Sequence, residues 1–269
     1  MDEQTFDQIK EFIEDQYMID ITRYKRQQMI RRLDAWLRRS SLNNWDDYFQ
    51  MVREDQNEDV RFRNYLTINV TSFFRDPDRW AVFEKDVLPG VLSNGNGSPS
   101  LLSRSLKVWS AGCSIGAEPY TLGIILNRVT PYADHDFLAT DFDRGALEIA
   151  RAGGPFIRDD VKNIPEDDLM KYFRREDDHY YVKGLLRDKI QFREGDLLSD
   201  QFDDGYDLII CRNVVIYFTP EIKDELFVKF HSSLVEDGVL FLGGTEMIPH
   251  ASGSGFRHIG GSIYKKIAI

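Results

Sequence analysis

The sequence is poor in cysteine and has no long run of apolar residues. Its two cysteines, Cys113 and Cys211, lie outside any C-x-x-C or Cys/His cluster, so we expect neither a disulfide nor a metal site. No segment approaches the roughly 20 apolar residues that a membrane-spanning helix needs. The acidic start of the sequence, from Met1 to Phe6, also lacks the pattern of a signal peptide. These absences predict a cytoplasmic protein that does not insert into a membrane.

Negative charge exceeds positive charge over the whole chain, but one segment is strongly basic. The chain has 34 Lys and Arg against 45 Asp and Glu, a net charge of −11, which argues against a nucleic-acid partner. Residues 23–39, however, hold seven basic residues and one acid, Asp34. A helix over about 22–39 would have one apolar stripe, and the basic residues outside it are Lys25, Arg31, Arg32, Arg38 and Arg39. This face is either a solvated helix surface or a docking site for an acidic partner.

The apolar pattern divides the chain into a helical part and an α/β part. Residues 1–92 have helical periodicity, and residues 93–106 are a predicted linker because turn-forming residues dominate their first half. Residues 107–269 alternate strands with helices and end in a hairpin around Gly260 and Gly261. This alternation predicts a mostly parallel sheet with helices on both faces. A short strand candidate at residues 179–182 lies within a predicted insertion over about 160–189.

The most informative segment joins a buried strand to a helix through a glycine turn. We predict the strand at Val108–Ala111, the turn at Gly112–Gly116 and the helix over residues 117–129. Such a turn follows the first strand of nucleotide-cofactor folds, because glycine lets the backbone turn sharply and approach the ligand. The spacing Gly112-x-x-x-Gly116 departs from the G-x-G-x-x-G fingerprint of dinucleotide-binding proteins. It therefore favours another adenosine cofactor over NAD.

Two acids near this turn are candidate cofactor ligands. Asp141 ends the second predicted strand, where a carboxylate can accept hydrogen bonds from both ribose hydroxyls. The alternative is that Asp141 caps the next helix, although Asp143 fits that role better. Glu118 lies in the first turn of the helix after Gly116, where the helix dipole alone would stabilise it. The sharper interpretation is that Glu118 faces the positive end of S-adenosylmethionine, which carries an ammonium and a sulfonium.

Further polar residues follow the third and fourth predicted core strands. Asp196 and Leu197 come after the strand at residues 189–193, a position that lies beside the adenine in this fold. Arg212 and Asn213 come directly after the strand at residues 206–211, so they belong to the ligand edge of the sheet. Tyr217 is either a site residue or an ordinary buried aromatic with a satisfied hydroxyl.

The segment Asn69-Val-Thr-Ser-Phe-Phe-Arg75 lies between the helical part and the sheet part. It combines an amide, two hydroxyls, two aromatics and an arginine. It is either an ordinary helix end followed by packing aromatics or a part of the cofactor site.

Four motifs together resemble the chemotaxis receptor methyltransferase family, CheR. They are Asn69-Val-Thr-Ser-Phe-Phe-Arg75, Trp109-Ser-Ala-Gly-Cys-Ser-Ile-Gly-Ala-Glu-Pro-Tyr120, Ala139-Thr-Asp-Phe-Asp143 and Cys211-Arg-Asn-Val-Val-Ile-Tyr-Phe218. The resemblance covers the whole chain in the same order. It implies an α/β fold in which an all-helical N-terminal domain precedes a class I, Rossmann-like methyltransferase domain. That domain would have a mostly parallel seven-stranded sheet, an antiparallel C-terminal hairpin and a small inserted β-subdomain.

The resemblance also implies an activity, a cofactor and a partner. The activity is O-methylation of glutamate side chains on chemoreceptors, for chemotactic adaptation. The cofactor is S-adenosyl-L-methionine, which leaves as S-adenosyl-L-homocysteine. The partner is the helical cytoplasmic methylation region of a chemoreceptor, on which the basic helix would dock, and we expect the enzyme itself to be a monomer.

The family's functional residues can be placed on this sequence motif by motif. Arg75 and Tyr217 correspond to the arginine and tyrosine that flank the methyl-transfer site. The residues expected to contact the cofactor are Asn69, Thr71, Arg75, Gly112, Glu118, Asp141, Asp196, Leu197, Arg212 and Asn213.

One departure from the family pattern concerns the insertion. Some relatives carry there a glycine-rich strand turn that binds a pentapeptide at the receptor's C-terminus. The corresponding region here, residues 173–187, is charged and lacks that turn. We therefore predict receptor methylation that does not depend on a pentapeptide tether.

Two other classes of protein stay open at this point. A nucleotide-dependent oxidoreductase would use the same kind of sheet, but the missing G-x-G-x-x-G and the closing hairpin disfavour it. A non-catalytic receptor-binding module would keep the basic helix but would not need the acids and the arginine of the predicted site.

Overall fold

A computed structural model describes residues 1–67, 70–93 and 104–268. The chain divides into two compact units, one of Met1–Ile68 with Tyr217–Asp224 and one of Asn69–Ile216 with Glu225–Ile269. We call them the helical unit and the sheet unit. The helices are α1 (Glu3–Tyr17), α2 (Arg26–Arg39), α3 (Trp45–Glu54), α4 (Gln56–Leu66), α5 (Pro77–Val82), α6 (Leu88–Ser93), α7 (Ala117–Val129), α8 (Arg144–Ala152), α9 (Arg158–Val161), α10 (Glu166–Tyr172), α11 (Gly184–Arg187) and α12 (Pro220–Ser233). No helix in these described ranges is both long and apolar enough to cross a membrane.

The sheet confirms the predicted α/β architecture. The strands are β1 (Lys107–Ala111), β2 (Asp136–Asp141), β3 (Phe173–Glu176), β4 (His179–Val182), β5 (Gln191–Glu194), β6 (Tyr206–Cys211), β7 (Leu234–Leu242), β8 (Phe256–Gly260) and β9 (Ile263–Lys266). Among the described residues, seven of them form one sheet in the order β5-β2-β1-β6-β7-β9-β8. The pairs from β5 to β7 are parallel, and β9 and β8 close the sheet as an antiparallel hairpin.

The helical unit is held together by the apolar stripes that the sequence predicts. Phe6, Ile9 and Ile13 recur at helical spacing on α1, and all three are buried. On α2 the stripe buries Met29 and Leu33. Aromatic rings of α3 and α4 fill the space between these helices. Burial of the stripes therefore fixes which face of α2 is left for solvent.

Residues 70–93 belong to the sheet unit, so the predicted boundary at residues 93–106 is misplaced. The indole of Trp80 on α5 lies 5.2 Å from the ring of Phe241 on β7, and Phe83 stacks on the same ring at 5.3 Å. The predicted linker begins too early, because Ser93 still belongs to α6, whereas its predicted end at residue 106 agrees with the start of β1 at Lys107. Residues 94–103 of this segment lie outside the described residues. Helical periodicity identified the helices but could not show which core they cover.

The predicted insertion contains a two-stranded antiparallel hairpin, β3–β4. Phe173 pairs with Val182 at its base, and Tyr180 of β4 pairs with Phe156 on the other side. The turn consists of Asp177 and its neighbours, and Asp177 has a positive φ of 51°. The small β-subdomain is therefore present in a reduced form.

Strand β7 is longer than the sequence pattern indicates. We expected it over residues 238–242, but it begins at Leu234. The charged residues Glu236 and Asp237 interrupt its apolar run, which hides the first half of the strand from a periodicity argument. The irregular register between Tyr206 and Leu208 opposite this half accommodates the extra residues.

Trp80 tests the assignment of residues 70–93 to the sheet unit. We expect Trp80→Ala to lower the free energy of unfolding by about 3–5 kcal/mol, because it removes a buried indole from well-packed aromatic neighbours. The control is Val228→Ala at a side chain that is 65% exposed, which should change stability by less than about 0.5 kcal/mol. Denaturant unfolding of the full chain measures both. Equal stability of the two variants would contradict the assignment.

Candidate active site

The carboxyl ends of β2, β1, β6 and β7 meet along one edge of the sheet unit. These strands are parallel, and β1 lies between β2 and β6, so the strand order reverses there. Open α/β sheets bind their ligands outside such a reversal. Each of these four strands is followed by a turn that carries polar or glycine residues. This edge, which we call the ligand edge, is therefore the place where a cofactor site is expected.

The glycine turn after β1 has the sharp geometry that the sequence predicts. Gly112 and Gly116 both have positive φ, at 83° and 92°. A Cβ at Gly112 would also lie 2.6 Å from Cγ2 of Val214, so the loop after β6 leaves no room for a side chain. The N–H groups of Gly112 and Cys113 both donate to the Thr140 carbonyl at 2.9 Å. The turn is thus fixed to the end of β2.

Asp141 stands at that end of β2 with its carboxylate directed into the turn. Its Oδ2 accepts the Ser114 N–H at 2.6 Å, and its Oδ1 accepts the Asp143 N–H at 2.8 Å. Burial raises the pKa of Asp141 to about 6, although these backbone donors act in the opposite direction. The helix cap is Asp143, as expected, because its Oδ1 accepts the Ala146 N–H at 3.0 Å. Asp141 therefore keeps lone pairs for a ligand such as a ribose.

Glu118 is a buried acid in the first turn of α7. The Ser110 hydroxyl of β1 donates a hydrogen bond to Oε1 of Glu118 at 2.8 Å. Burial raises the pKa of Glu118 to about 7, while the positive charge of Arg212 lowers it. A group at this pKa changes charge near neutral pH. Glu118 can be charged when it binds a cation such as an ammonium. When no cation is bound, it can take up a proton, so no uncompensated charge stays buried.

Arg212 lies at the end of β6 and holds the segment that contains Arg75. Its Nη2 donates to the Arg75 carbonyl and to Oδ2 of Asp76, both at 2.9 Å. Its guanidinium lies 5.0 Å from the ring centres of both Trp80 and Phe241. Burial lowers its pKa, whereas Glu118 and Asp76 counteract this. The guanidinium is therefore engaged within the protein, and its part in cofactor binding stays a prediction.

The backbone of residues 70–76 is strained and anchored at several points. Phe74 and Asp76 have positive φ of 48° and 56°, an uncommon conformation for residues other than glycine. The Phe74 N–H donates to the Thr121 hydroxyl of α7 at 3.0 Å. Arg75 itself is half-buried, and its Nη1 donates to the Val70 carbonyl at 2.6 Å. Thr71 is half-buried in the same segment, and Asn69 lies outside the described residues.

Asn213 follows Arg212 and depends on an acid that sequence reasoning missed. Glu246, in the turn after β7, accepts the Asn213 N–H at 2.8 Å. It is buried, and burial raises its pKa against the effect of its backbone donors. Asn213 Oδ1 is buried without a partner in the described part of the chain, so it can accept a hydrogen bond from a ligand. The signal for Glu246 was its place in Gly243-Gly-Thr-Glu246, directly after a buried strand.

Asp196 and Leu197 line a small cleft after β5. Trp109 and Thr140 line it from the sheet side, and the indole N–H of Trp109 donates to the Thr140 hydroxyl at 2.9 Å. The Asp196 carboxylate accepts the Leu198 N–H and the Ser199 hydroxyl, each at 2.9 Å. Asp196 therefore stabilises its own turn, and its role in adenine recognition stays a prediction.

Tyr217 and the basic helix belong to the helical unit. The Tyr217 carbonyl accepts the Lys25 N–H at 2.9 Å, so these two residues are joined through their backbones. On α2, Arg31, Arg38 and Arg39 are exposed and Lys25 is half-buried.

Arg32 differs from the other arginines of α2. Its guanidinium lies 4.6 Å from the Tyr65 ring centre and donates to the Tyr65 carbonyl, and burial lowers its pKa. Arg32 therefore packs α2 against α4 instead of extending into solvent.

The residues at the ligand edge fit an adenosine cofactor with a positive end. Asp141 offers a carboxylate at the end of β2, Glu118 a second and buried one at the start of α7, and Asn213 an unpartnered amide oxygen. The first suits vicinal hydroxyls, and the second suits an ammonium.

The comparisons with known proteins agree with this geometry. Residues 4–67 match the family model "CheR methyltransferase, all-alpha domain", and residues 69–264 match "CheR methyltransferase, SAM binding domain". A chemotaxis protein methyltransferase of Listeria innocua is 37% identical over 248 residues, which cover 92% of each chain. The protein of the same name from Listeria monocytogenes is 36% identical over 248 residues, again 92% of each. One from Borreliella burgdorferi is 28% identical over 260 residues, 92% of this chain and 89% of that protein.

The raised pKa of Glu118 predicts a pH-dependent affinity for S-adenosylmethionine. Above about pH 7 the Glu118 carboxylate is charged and attracts the ammonium of the cofactor. Below that pH the Glu118 carboxyl must lose its proton before it can attract the ammonium. We expect the Kd from calorimetry to rise from about pH 8 to about pH 6.5, with a slope that approaches tenfold per pH unit at the acid end. Glu118→Gln should make the Kd nearly independent of pH. The control Glu225→Gln, at an exposed acid on α12, should leave the pH dependence unchanged. An affinity of the unmodified protein that does not change with pH would contradict this role.

Proposed function

The chain belongs to the CheR methyltransferase family, and from this premise we propose that it methylates glutamate side chains of chemoreceptors to glutamyl methyl esters. S-adenosylmethionine is the methyl donor, in keeping with the SAM-binding domain that residues 69–264 match. The observation that carries the proposal is the order along the ligand edge. There, the buried Glu118 and the half-buried Asp141, which suit the cofactor, lie in the same unit as the anchored segment that contains Arg75.

The reaction needs little acid–base chemistry from the protein. A glutamate carboxylate is already ionised near neutral pH. One of its oxygens forms a bond to the methyl carbon while the carbon–sulfur bond breaks and its electron pair goes to sulfur. No proton is transferred, so the chain's own residues have to align the carboxylate and strip part of its water. Alignment alone can supply a large part of such a rate.

Arg75 is the residue suited to hold the acceptor. Its guanidinium can bind one carboxylate oxygen and leave the other free to attack. The strained and anchored backbone around Arg75 fixes the position from which its side chain extends. Tyr217 is proposed, from the family motif, to position the acceptor or the methyl group.

The direct test is transfer of labelled methyl to purified receptor membranes. Methyl esters release methanol in alkali, whereas methyl groups on nitrogen do not. We expect label that depends on S-adenosylmethionine and that leaves as volatile methanol after alkaline treatment. Label that stays on the receptor in alkali, or no transfer at all, would contradict the proposal.

Arg75 has a kinetic prediction of its own. We expect Arg75→Ala to lower kcat about a hundredfold, because the acceptor loses its alignment, while the Kd for S-adenosylmethionine changes little. Arg75→Lys should recover only part of the rate, since lysine keeps the charge without the planar fork. Arg257→Ala, at an exposed arginine on β8, is the control and should keep full activity. Near-normal turnover of Arg75→Ala would show that the assignment is wrong.

The exposed arginines of α2 are proposed to dock on the acidic surface of the receptor. Arg31, Arg38 and Arg39 carry this proposal, because Arg32 is engaged with Tyr65. The β3–β4 hairpin has acidic residues in its turn and no glycine, which supports docking without a pentapeptide tether. That independence stays a prediction.

Ionic strength tests the docking face. The double variant Arg31→Gln with Arg38→Gln should raise the receptor KM at low salt by roughly two- to thirtyfold, as expected for two exposed ion pairs of about 0.2–1 kcal/mol each. Its KM should also depend less on salt, because exposed charges are screened. Arg61→Gln, at a side chain that is 71% exposed on α4, is the matched control. A receptor KM that salt leaves unchanged in the unmodified protein would exclude this docking mode.

A further inference from the structure

Glu246 accepts three backbone N–H groups at the ligand edge. Its Oε2 accepts the N–H of Asn213 at 2.8 Å and that of Gly243 at 2.6 Å, and its Oε1 accepts the N–H of Ile216 at 3.1 Å. The residue is 5% exposed. Hydrogen bonds to a carboxylate are roughly twice as strong as neutral ones. An acid with these partners is committed to the backbone and is not placed to act as a base.

The three donors come from two different turns. Asn213 and Ile216 are the two ends of the segment that follows β6, which we call the 213–216 segment. Gly243 follows β7, the parallel neighbour of β6, and its carbonyl accepts the N–H of Glu246 at 2.9 Å. One carboxylate therefore closes the turn after β7 and fastens both ends of the 213–216 segment to it.

The 213–216 segment needs such a tie because its backbone is not relaxed. Asn213 has a φ of 60°, in the left-handed region. Conformations of this kind persist when the surrounding structure holds them. Gly243 shows how closely the two turns approach each other. A Cβ there would lie 2.7 Å from both the Asn213 nitrogen and Oε2 of Glu246.

The segment joins two residues with assigned roles. Arg212 precedes it and holds the carbonyl of Arg75 at 2.9 Å. Tyr217 follows it directly in the chain. The backbone position of Arg212 therefore depends on how the segment that follows it is held.

We propose that Glu246 is a positioning residue for methyl transfer, whose carboxylate holds the 213–216 segment at the ligand edge. The inference rests on the proposed function, because it takes methyl transfer as the reaction that needs this order. Glu246 touches neither cofactor nor acceptor in this role. It acts through the segment itself and through Arg212, which precedes it.

Glu246→Gln is the informative variant. The amide keeps the size of the side chain but replaces one acceptor oxygen with an NH2 group, which then faces a backbone N–H. We expect kcat for receptor methylation to fall about ten- to a hundredfold. The receptor KM should change by less than about threefold. Gly243→Ala disturbs the same contact from the other side and should give the same split between kcat and KM.

Glu225→Gln, an exposed acid on α12, should leave kcat unchanged. A folded Glu246→Gln protein with unchanged kcat would overturn the inference. A parallel loss of thermal stability and kcat together with a raised receptor KM would also overturn it, because that pattern indicates a purely structural residue.

Hydrogen exchange separates this inference from the proposed function. The amides of Asn213 and Ile216 should exchange at least about tenfold faster in Glu246→Gln than in the unmodified protein, with no receptor present. If the unmodified protein transfers no methyl to receptors, the proposed substrate is wrong, and exchange still decides whether the carboxylate holds the segment. Unchanged exchange of these two amides would sink the inference whatever the substrate is.

Discussion

The order of the candidate site in the sheet unit depends on the interactions of the buried Arg212 guanidinium. A charge removed from water is unfavourable unless nearby groups compensate it. Here a carbonyl, the Asp76 carboxylate and two aromatic faces surround it. Because these partners come from residues 75–80 and from β7, one side chain joins the N-terminal segment of the sheet unit to the end of β6. The arginine that we assign to the acceptor is thereby placed at the ligand edge.

Three acids lie around that edge, and their hydrogen-bond partners give them different roles. Glu118 and Glu246 are buried, and Asp141 is half-buried. Glu246 is committed to three backbone N–H groups and orders the turns after β6 and β7. Asp141 accepts two backbone N–H groups and can still accept hydrogen bonds from hydroxyl groups. Glu118 accepts a hydroxyl from Ser110, and burial brings its pKa to about 7. Burial raises the pKa of all three acids, so each holds a proton more readily than an exposed carboxyl would.

Local patterns predicted most of the fold, whereas the tertiary contacts were beyond them. The strand–turn–helix unit at residues 107–129 and the cap at Asp143 were readable because each depends on neighbours in the sequence. The assignment of residues 70–93 to the sheet unit could not be predicted in this way, because it depends on contacts of Trp80 and Phe83 with Phe241, about 160 residues later in the chain. For the same reason Glu246 was missed and Arg32 was taken for a surface residue. The roles of the predicted site residues rest on the family motifs.

The most direct test of the account is the chemical identity of the methylated atom. Receptor methylation region incubated with the protein and S-adenosylmethionine can be digested and sequenced by mass spectrometry, before and after mild alkali. The account predicts one added methylene on glutamate side chains, which alkali removes and which the Arg75→Ala protein does not add at a comparable rate. A methyl group on lysine, arginine or a terminus, stable to alkali, would contradict it.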